Sequence, residues 1–333
     1  MECPAFVHAE YWRLLGGQTP SPAPPTTDVF ALRDTIRAQA KSAADRTPIP
    51  AGMTMTDHTL TSADGTEINM TRFVPRVVQQ QQEANPETSH RSVVFAFGGG
   101  MVAGTVAEWR PLIAIFAERA ATQVFATDYR LAPEHPYPAA LEDMYASLLW
   151  VRARAGEFNL DRSRIVLFGA SAGANLMVAV AMRARDEKLE PPIAGQVLRY
   201  PMLDDRARLA DDQDWKFPYL VWTPSANAVA WEAYLKNLPP STKDGQDDAA
   251  VVPDVAAPGR AQDVRGLPPT QIGVGSLDLF CDDAVAFAER LTAQGVRAHA
   301  FVVEGMPHGI DIEPSTTIGH GMWNDEAAFV QQF

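Results

Sequence analysis

A pentapeptide of small residues around one serine is the part of this sequence that most directly suggests chemistry. Residues 169–173 read Gly-Ala-Ser-Ala-Gly and place Ser171 between an apolar run, Arg164–Phe168, and a helix-like run that begins at Ala172. A strand, a tight turn and a helix in this order form the context of a nucleophile elbow, which exposes the serine hydroxyl above a sheet. The motif alone also fits a glycine-rich turn that caps a helix. Its setting between strand and helix favours a nucleophile.

A second small-residue motif, Gly98–Gly100, follows the apolar run 92–97. Glycine leaves the backbone free to turn its N–H groups toward a ligand. In a nucleophile-elbow fold such groups join the N–H of the residue after the serine to hold an oxyanion. A flexible loop is the alternative reading of the glycines. We expect the N–H groups of Gly99, Gly100 and Ala172 to form an oxyanion hole.

The acid of such a site follows the serine in the chain and lies at a later strand end. Asp278 is in the loop just past the apolar run Thr270–Gly275. Asp282 and Asp283 are its rivals, but they come where the next helix begins, and there a carboxylate is expected to cap the helix. The sequence therefore favours Asp278.

The base must be a histidine beyond the acid, and His299, His308 and His320 qualify. His299 lies inside the last predicted strand, 297–303, where packing explains it. His308 is in a loop punctuated by glycine and proline directly after that strand, whereas His320 lies farther from the strand end. We therefore predict that His308 is the base.

These three side chains predict acyl transfer. Neutral His308 accepts the Ser171 proton as the hydroxyl attacks a carbonyl, and Asp278 orients the imidazole and stabilises its charged form. Water then releases the acyl group with the same histidine as base. Because the base must be neutral, a pH–rate profile should show activity falling below about pH 6.5.

The elements that would position these groups alternate between strand and helix. Short, nearly continuous apolar runs suit strands buried on both faces of a parallel sheet, and βαβ connections build such a sheet. The predicted strands are 65–74, 92–97, 123–127, 164–168, 196–200, 270–274 and 297–303, and the predicted helices are 29–44, 107–121, 138–155, 172–187, 282–294 and 324–332. The prediction is an α/β fold with a mostly parallel sheet of about eight strands and helices on both faces.

Two regions depart from this alternation. Residues 1–50 are rich in proline and alanine, and residues 204–266 interrupt the core with a helical piece and irregular sequence. Long insertions of this kind often form lids or binding segments. We expect a helical cap made of 1–50 and 204–266 over a core made of 51–203 and 267–333. The glutamine-rich stretch at 79–90 is predicted to be a polar loop.

Composition bounds the partners. The 333-residue chain is 46% hydrophobic with a net charge of −13, which disfavours nucleic acid and anionic membranes. The two cysteines give no disulfide framework or metal-ligand spacing, so no metal or cofactor is expected. Without a signal-peptide pattern or an apolar run of about 18 residues, we expect a cytoplasmic location and no integral membrane segment. A homodimer is compatible with the sequence.

Five motifs between about residue 92 and residue 308 carry a resemblance to a known family: Gly98–Gly100, Asp128–Asp143, Gly169–Gly173, Gly275–Asp283 and Gly305–Gly309. Over this range the chain resembles the hormone-sensitive-lipase-like esterases of the α/β-hydrolase fold. The resemblance implies an esterase that prefers short or medium acyl chains, with no metal and a helical cap. A lactone is the alternative substrate. Two residues depart from the family, which usually has histidine at the position of Phe97 and aspartate at that of Ala170.

Other functions stay open on the same residues. The resemblance extends to gibberellin receptors, which bind ligand without the catalytic histidine, whereas this chain has His308. Amide hydrolysis or acyl transfer would use the same acyl-enzyme. An apolar substrate pocket is the weaker prediction, because the same side chains could simply pack the cap onto the core: Met101, Val102, Trp109, Phe217, Tyr219 and Trp222.

Overall fold

The computed structural model describes residues 2–238, 252–313 and 316–333, and in this part of the chain eight strands form one sheet. Their spatial order is β1-β2-β4-β3-β5-β6-β7-β8. The contacts of β2 with β1 and β4 are antiparallel, and all other neighbours are parallel. The strands are β1 Thr54–Thr61, β2 Glu67–Val74, β3 His90–Ala96, β4 Gln123–Thr127, β5 Leu160–Ala170, β6 Gly195–Arg199, β7 Thr270–Gly275 and β8 Ala298–Val303.

The helices connect and cover these strands. Short 3₁₀ segments lie at Asp211–Tyr219, Pro258–Arg260 and Ile310–Ile312. The α-helices are α1 Ala9–Leu14, α2 Val29–Arg46, α3 Arg76–Ala84, α4 Val106–Ala120, α5 Ala139–Ala153, α6 Ala172–Asp186, α7 Pro224–Tyr234, α8 Cys281–Ala293 and α9 Thr317–Val330.

The parallel part of the sheet is covered on both faces. Every residue of β4, β6 and β7 is buried, and successive side chains of a strand point to opposite faces. One helix pair is α5 with α6, and α4 contacts both α9 and α2. The predicted α/β fold with a mostly parallel sheet of about eight strands is confirmed.

The glutamine-rich stretch predicted to be a loop is partly helical, so that prediction is wrong over its first half. Helix α3 spans Arg76–Ala84. Glutamine has good helix propensity, and the buried Val78 anchors the helix to the core. Gln79 adds hydrogen bonds from Nε2 to the carbonyls of Gly52 (3.1 Å) and Val74 (2.9 Å). The prediction is wrong because the low complexity of the glutamine run suggests a loop, whereas the helix propensity of glutamine favours a helix.

The N-terminal segment packs against the insertion. The Tyr11 hydroxyl donates to the Tyr219 carbonyl at 2.7 Å, and the Thr26 N–H donates to Ser225 Oγ at 3.0 Å. A small apolar cluster joins both regions to the loops after β7 and β8; it contains Val7, Tyr11, Trp12, Tyr219, Leu277 and Met306. Residues 239–251 of the predicted insertion lie outside the described residues. Among the helices described, none is both long and apolar enough to cross a membrane.

Candidate active site

Ser171 occupies the sharp turn between β5 and α6. Its backbone has φ 54° and ψ −118°, a left-handed conformation that a residue with a side chain rarely adopts. The turn is held by the Ser171 N–H, which donates to the Arg199 carbonyl at 2.8 Å, and by its carbonyl, which accepts from Met202 N–H at 3.2 Å. Neighbouring structure thus fixes the strained residue from both sides.

The two glycines of the motif are required by close approach. A Cβ on Gly169 would lie 2.3 Å from the Gly173 carbonyl oxygen, and one on Gly173 would lie 2.1 Å from that of Ala96. Neither position has room for a side chain. Ala170, at the position where the family usually has aspartate, lies between the two glycines and is fully buried. Nothing in the structure explains the alanine.

The structure brings the predicted acid and base to this serine. His308 Nε2 lies 2.9 Å from Ser171 Oγ, and His308 Nδ1 lies 2.7 Å from Asp278 Oδ2. The other carboxylate oxygen of Asp278 accepts from Phe280 N–H at 2.9 Å. All three side chains are nearly buried, with Ser171 4% and His308 9% exposed. The chain of hydrogen bonds has the order that activates a serine hydroxyl.

The rival acids and bases lie elsewhere. Asp282 is exposed in the first turn of α8, where it accepts from Gln213 Nε2 at 3.0 Å. His299 is part of β8, and His320 is in α9, where its ring stacks on Trp323. Of these histidines, only His308 contacts the serine.

Asp283 is a partly buried carboxylate that forms no ion pair with another residue in the described part of the chain, and its burial leads to a prediction about stability. Burial, then the neighbouring Asp204 and Asp282, raises the pKa of Asp283 to about 6. The folded state therefore holds a proton that the unfolded chain releases between about pH 4 and pH 6, so this carboxyl costs stability as pH rises through that window. We expect Asp283→Asn to stabilise the protein by about 1–2 kcal/mol at pH 7.

Thermal unfolding at pH 4 and pH 7 checks the Asp283 prediction. The stabilisation should be much smaller at pH 4, where the carboxyl is protonated in the folded protein and only about half ionised in the unfolded chain. Glu289→Gln, at an exposed carboxylate of the same helix α8, is the matched control and should change little. An equal gain from Asp283→Asn at both pH values would contradict the proton-linked explanation.

The glycine run lies against the serine. A Cβ on Gly98 would be 3.1 Å from Ser171 Cβ, so the loop passes directly beside the nucleophile. Gly99 and Gly100 have φ +132° and +63°. Glycine adopts such positive φ angles without steric strain. The N–H groups of Gly99, Gly100 and Ala172 donate no hydrogen bond to another described residue. Three backbone donors are therefore available beside Ser171.

Tyr129 braces this loop at Phe97, the position where the family usually has a histidine. The Phe97 ring is buried and stacks on Tyr129 with centroids 4.2 Å apart, and the Tyr129 hydroxyl donates to the Phe97 carbonyl at 2.8 Å. Asp128 accepts from Val106 N–H at 2.6 Å, and Ala132 N–H donates to the Met101 carbonyl at 2.9 Å. The 128–143 segment thus supports the glycine loop.

The predicted pocket residues occupy three different surroundings. Trp109 and Trp222 flank the site: a Cβ on Gly98 would be 3.2 Å from the Trp109 ring, and one on Gly100 would be 2.7 Å from the Trp222 ring. Tyr219 packs in the small apolar cluster. Met101 and Val102 are fully buried and Phe217 is half-buried. Trp109 and Trp222 thus lie beside the glycine loop, whereas Tyr219 joins the N-terminal segment to the core.

Two further groups near the base were missed by sequence reasoning. The Tyr200 ring lies 4.5 Å from the His308 ring, and the Phe280 ring lies 5.3 Å from it. Burial raises the pKa of the adjacent Cys281 thiol to about 11, so this thiol is protonated at neutral pH and does not compete as a nucleophile. In the sequence, only the position of Tyr200 at a strand end could have indicated that its ring lies near the base.

A buried ion cluster ties the base loop to the serine turn. Arg199, whose carbonyl holds Ser171 N–H, forms ion pairs with Asp311 (2.6 Å) and Glu326. Asp311 follows His308 by three residues, and Arg199 and both carboxylates are almost fully buried. A charged side chain is almost never fully buried unless it is paired. An arginine at the end of a buried, mostly apolar strand was therefore the sequence signal for this ion cluster.

Comparisons with known proteins identify relatives of this chain. A family model described as alpha/beta hydrolase fold matches residues 93–312. Carboxylesterase NlhH of Mycobacterium tuberculosis is 37% identical over 65% of this chain and 65% of its own length, so the match spans just under two thirds of that relative. Esterase LipI of the same organism is 36% identical over 67% of each chain.

Solved structures of similar shape are also esterases by name. A bacterial heroin esterase is 26% identical with a TM-score of 0.82, and an esterase from Pyrobaculum calidifontis is 26% identical with a TM-score of 0.81. Each alignment covers 98% of both chains. The likeness therefore includes the N-terminal segment and the insertion as well as the sheet.

Proposed function

Because the chain belongs to the α/β-hydrolase fold family, in its hormone-sensitive-lipase-like branch, we propose that it is a serine hydrolase that cleaves carboxylic esters. One observation carries the proposal: Ser171 Oγ, the His308 ring and the Asp278 carboxylate form a continuous hydrogen-bonded series with spacings of 2.9 and 2.7 Å. The reaction passes through an acyl-enzyme on Ser171.

The same groups act in both half-reactions, and in each of them His308 serves first as base and then as acid. His308 Nε2 takes the Ser171 proton as Oγ attacks the ester carbonyl, and then gives it to the leaving alcohol. Asp278 stabilises the imidazolium between those steps. The N–H groups of Gly99, Gly100 and Ala172 hold the oxyanion of each tetrahedral intermediate. His308 then takes a proton from water as the water oxygen attacks the acyl-enzyme, and returns that proton to Ser171 Oγ as the bond to the acyl group breaks and the carboxylic acid leaves.

The N-terminal segment and the insertion act as the cap over this site. The hydrogen bonds of Tyr11 and Thr26 to the insertion support this assignment. So does the His8 N–H, which donates to the Gly305 carbonyl at 3.0 Å, three residues before the base. The cap leaves the serine almost inaccessible in this form, so substrates are small and reach the site through it. A cytoplasmic location stays a prediction.

The flanking tryptophans favour short or medium acyl groups. With p-nitrophenyl esters from acetyl to dodecanoyl, we expect kcat/KM to peak at about two to eight carbons and to fall for longer chains. Trp222→Ala removes the ring beside Gly100 and should move the maximum to longer chains. Trp215→Ala, an exposed tryptophan of the same insertion, is the matched control. A maximum at dodecanoyl in the wild type would contradict the size limit.

A further inference from the structure

Arg33 joins helix α2 of the N-terminal segment to the glycine loop. Its Nε donates to the Val102 carbonyl at 2.6 Å, and its Nη2 donates to the Ala132 carbonyl at 2.7 Å. Both Nη atoms also contact the Glu134 carboxylate, at 2.7 and 2.6 Å. The side chain is only 14% exposed. One guanidinium therefore fastens three groups from two separate segments to α2.

The two carbonyls belong to the structure that shapes the glycine loop. Val102 N–H closes the loop by donating to the Gly99 carbonyl at 3.1 Å, and Ala132 N–H donates to the Met101 carbonyl at 2.9 Å. Gly99 and Gly100 carry no side chains that could anchor them, and glycine is conformationally permissive. The loop conformation consequently depends on hydrogen bonds made by the residues that follow it.

A planar guanidinium suits this task better than an ammonium. Its donors are fixed in a fork, so it bonds two carbonyls and a carboxylate in one rigid arrangement. Glu134 holds the fork in place from the side away from Val102 and lies in the 128–143 segment that also braces Phe97. A displacement of α2 would withdraw Nε from Val102 and release the loop.

We propose that Arg33 is a positioning residue for the oxyanion hole, and that through it the seating of the N-terminal segment sets the rate of acyl transfer. The inference rests on the proposed ester hydrolysis. Arg33 has no role in holding the ground-state substrate. Its loss therefore weakens stabilisation of the transition state, where charge has developed on the carbonyl oxygen.

Arg33→Met tests this role by keeping the aliphatic stem and removing the fork. Loss of a direct oxyanion donor lowers kcat by about 10²–10³, and loss of this brace is expected to lower it by about 10- to 50-fold with KM changed less than about twofold. The inhibition constant of a trifluoromethyl ketone, whose serine adduct carries an oxyanion, should rise by the same factor. Arg37→Met, one turn farther along α2, is the matched control and should leave all three values unchanged.

A second variant and the wild type separate failure of this inference from failure of the proposed function. Arg33→Lys retains the charge and should still lower kcat several-fold, which preserves the test if Arg33→Met does not fold. Wild-type kcat in either folded Arg33 variant, or a kcat loss without weaker ketone binding, overturns the inference. A wild-type protein that cleaves no ester and does not react with the ketone would instead overturn the proposed function.

Discussion

Ser171→Ala should lower the rate of ester hydrolysis by about 10⁴- to 10⁶-fold. The change removes the oxygen that forms the acyl-enzyme and leaves the oxyanion donors in place, so the residual rate reflects binding and the oxyanion hole alone. Alanine keeps the Cβ of serine, and the turn is fixed by backbone hydrogen bonds to Arg199 and Met202. The variant should therefore fold and bind substrate.

Hydrolysis of p-nitrophenyl butyrate and labelling by a fluorophosphonate give two independent measurements of the Ser171 prediction. The label should appear on the wild-type peptide that contains Ser171 and be absent from the variant. Ser163→Ala, at an exposed serine of the same strand, is the matched control. Labelling of another serine, or a variant that keeps more than about a hundredth of the rate, would contradict the assignment. Tight ligand binding by an unreactive wild type would favour the binding-protein alternative.

The second large effect is expected from Asp278→Asn, which should lower kcat by about 10³- to 10⁴-fold. Asp278 Oδ1 accepts from the Phe280 N–H, so the amide oxygen of asparagine must take that place. Its NH₂ group then faces His308 Nδ1, which must become an acceptor. The imidazole proton moves to Nε2 and points at Ser171. In that tautomer His308 cannot accept the serine proton.

Kinetics of Asp278→Asn and of Asp282→Asn separate the acid from its neighbour. Asp282 lies four residues farther on and is exposed, and its variant should stay within about twofold of the wild-type kcat. KM should change little in both variants, because the carboxylate acts on the base and not on the ester. A large loss in Asp282→Asn with none in Asp278→Asn would reject the proposed acid.

The groups placed by chain order could be predicted from the sequence. Ser171, Asp278 and His308 each follow an apolar strand, and the carboxyl ends of parallel strands meet at one edge of a sheet. That rule needs only the order of strands and loops. It brought residues 137 positions apart to within hydrogen-bonding distance.

The supporting contacts could not be predicted in the same way. Arg33 and Val102 are 69 residues apart, and Tyr129 and Phe97 are 32 apart. In each pair the bond depends on how two separate segments of the chain pack against each other. The hydrophobic periodicity of the sequence does not indicate such contacts. The helix at Arg76–Ala84 is hidden for a different reason: its run of glutamines is typical of a low-complexity loop, although glutamine has good helix propensity.

The left-handed backbone of Ser171 also bears on how this protein trades durability against rate. A non-glycine residue held in such a conformation costs of order 1–3 kcal/mol, and glycine would remove most of that cost. A Ser171→Gly chain should therefore survive heating better than both the wild type and the alanine variant while doing no chemistry. Selection for thermal endurance alone would erase the nucleophile, so the serine persists only where turnover is also selected.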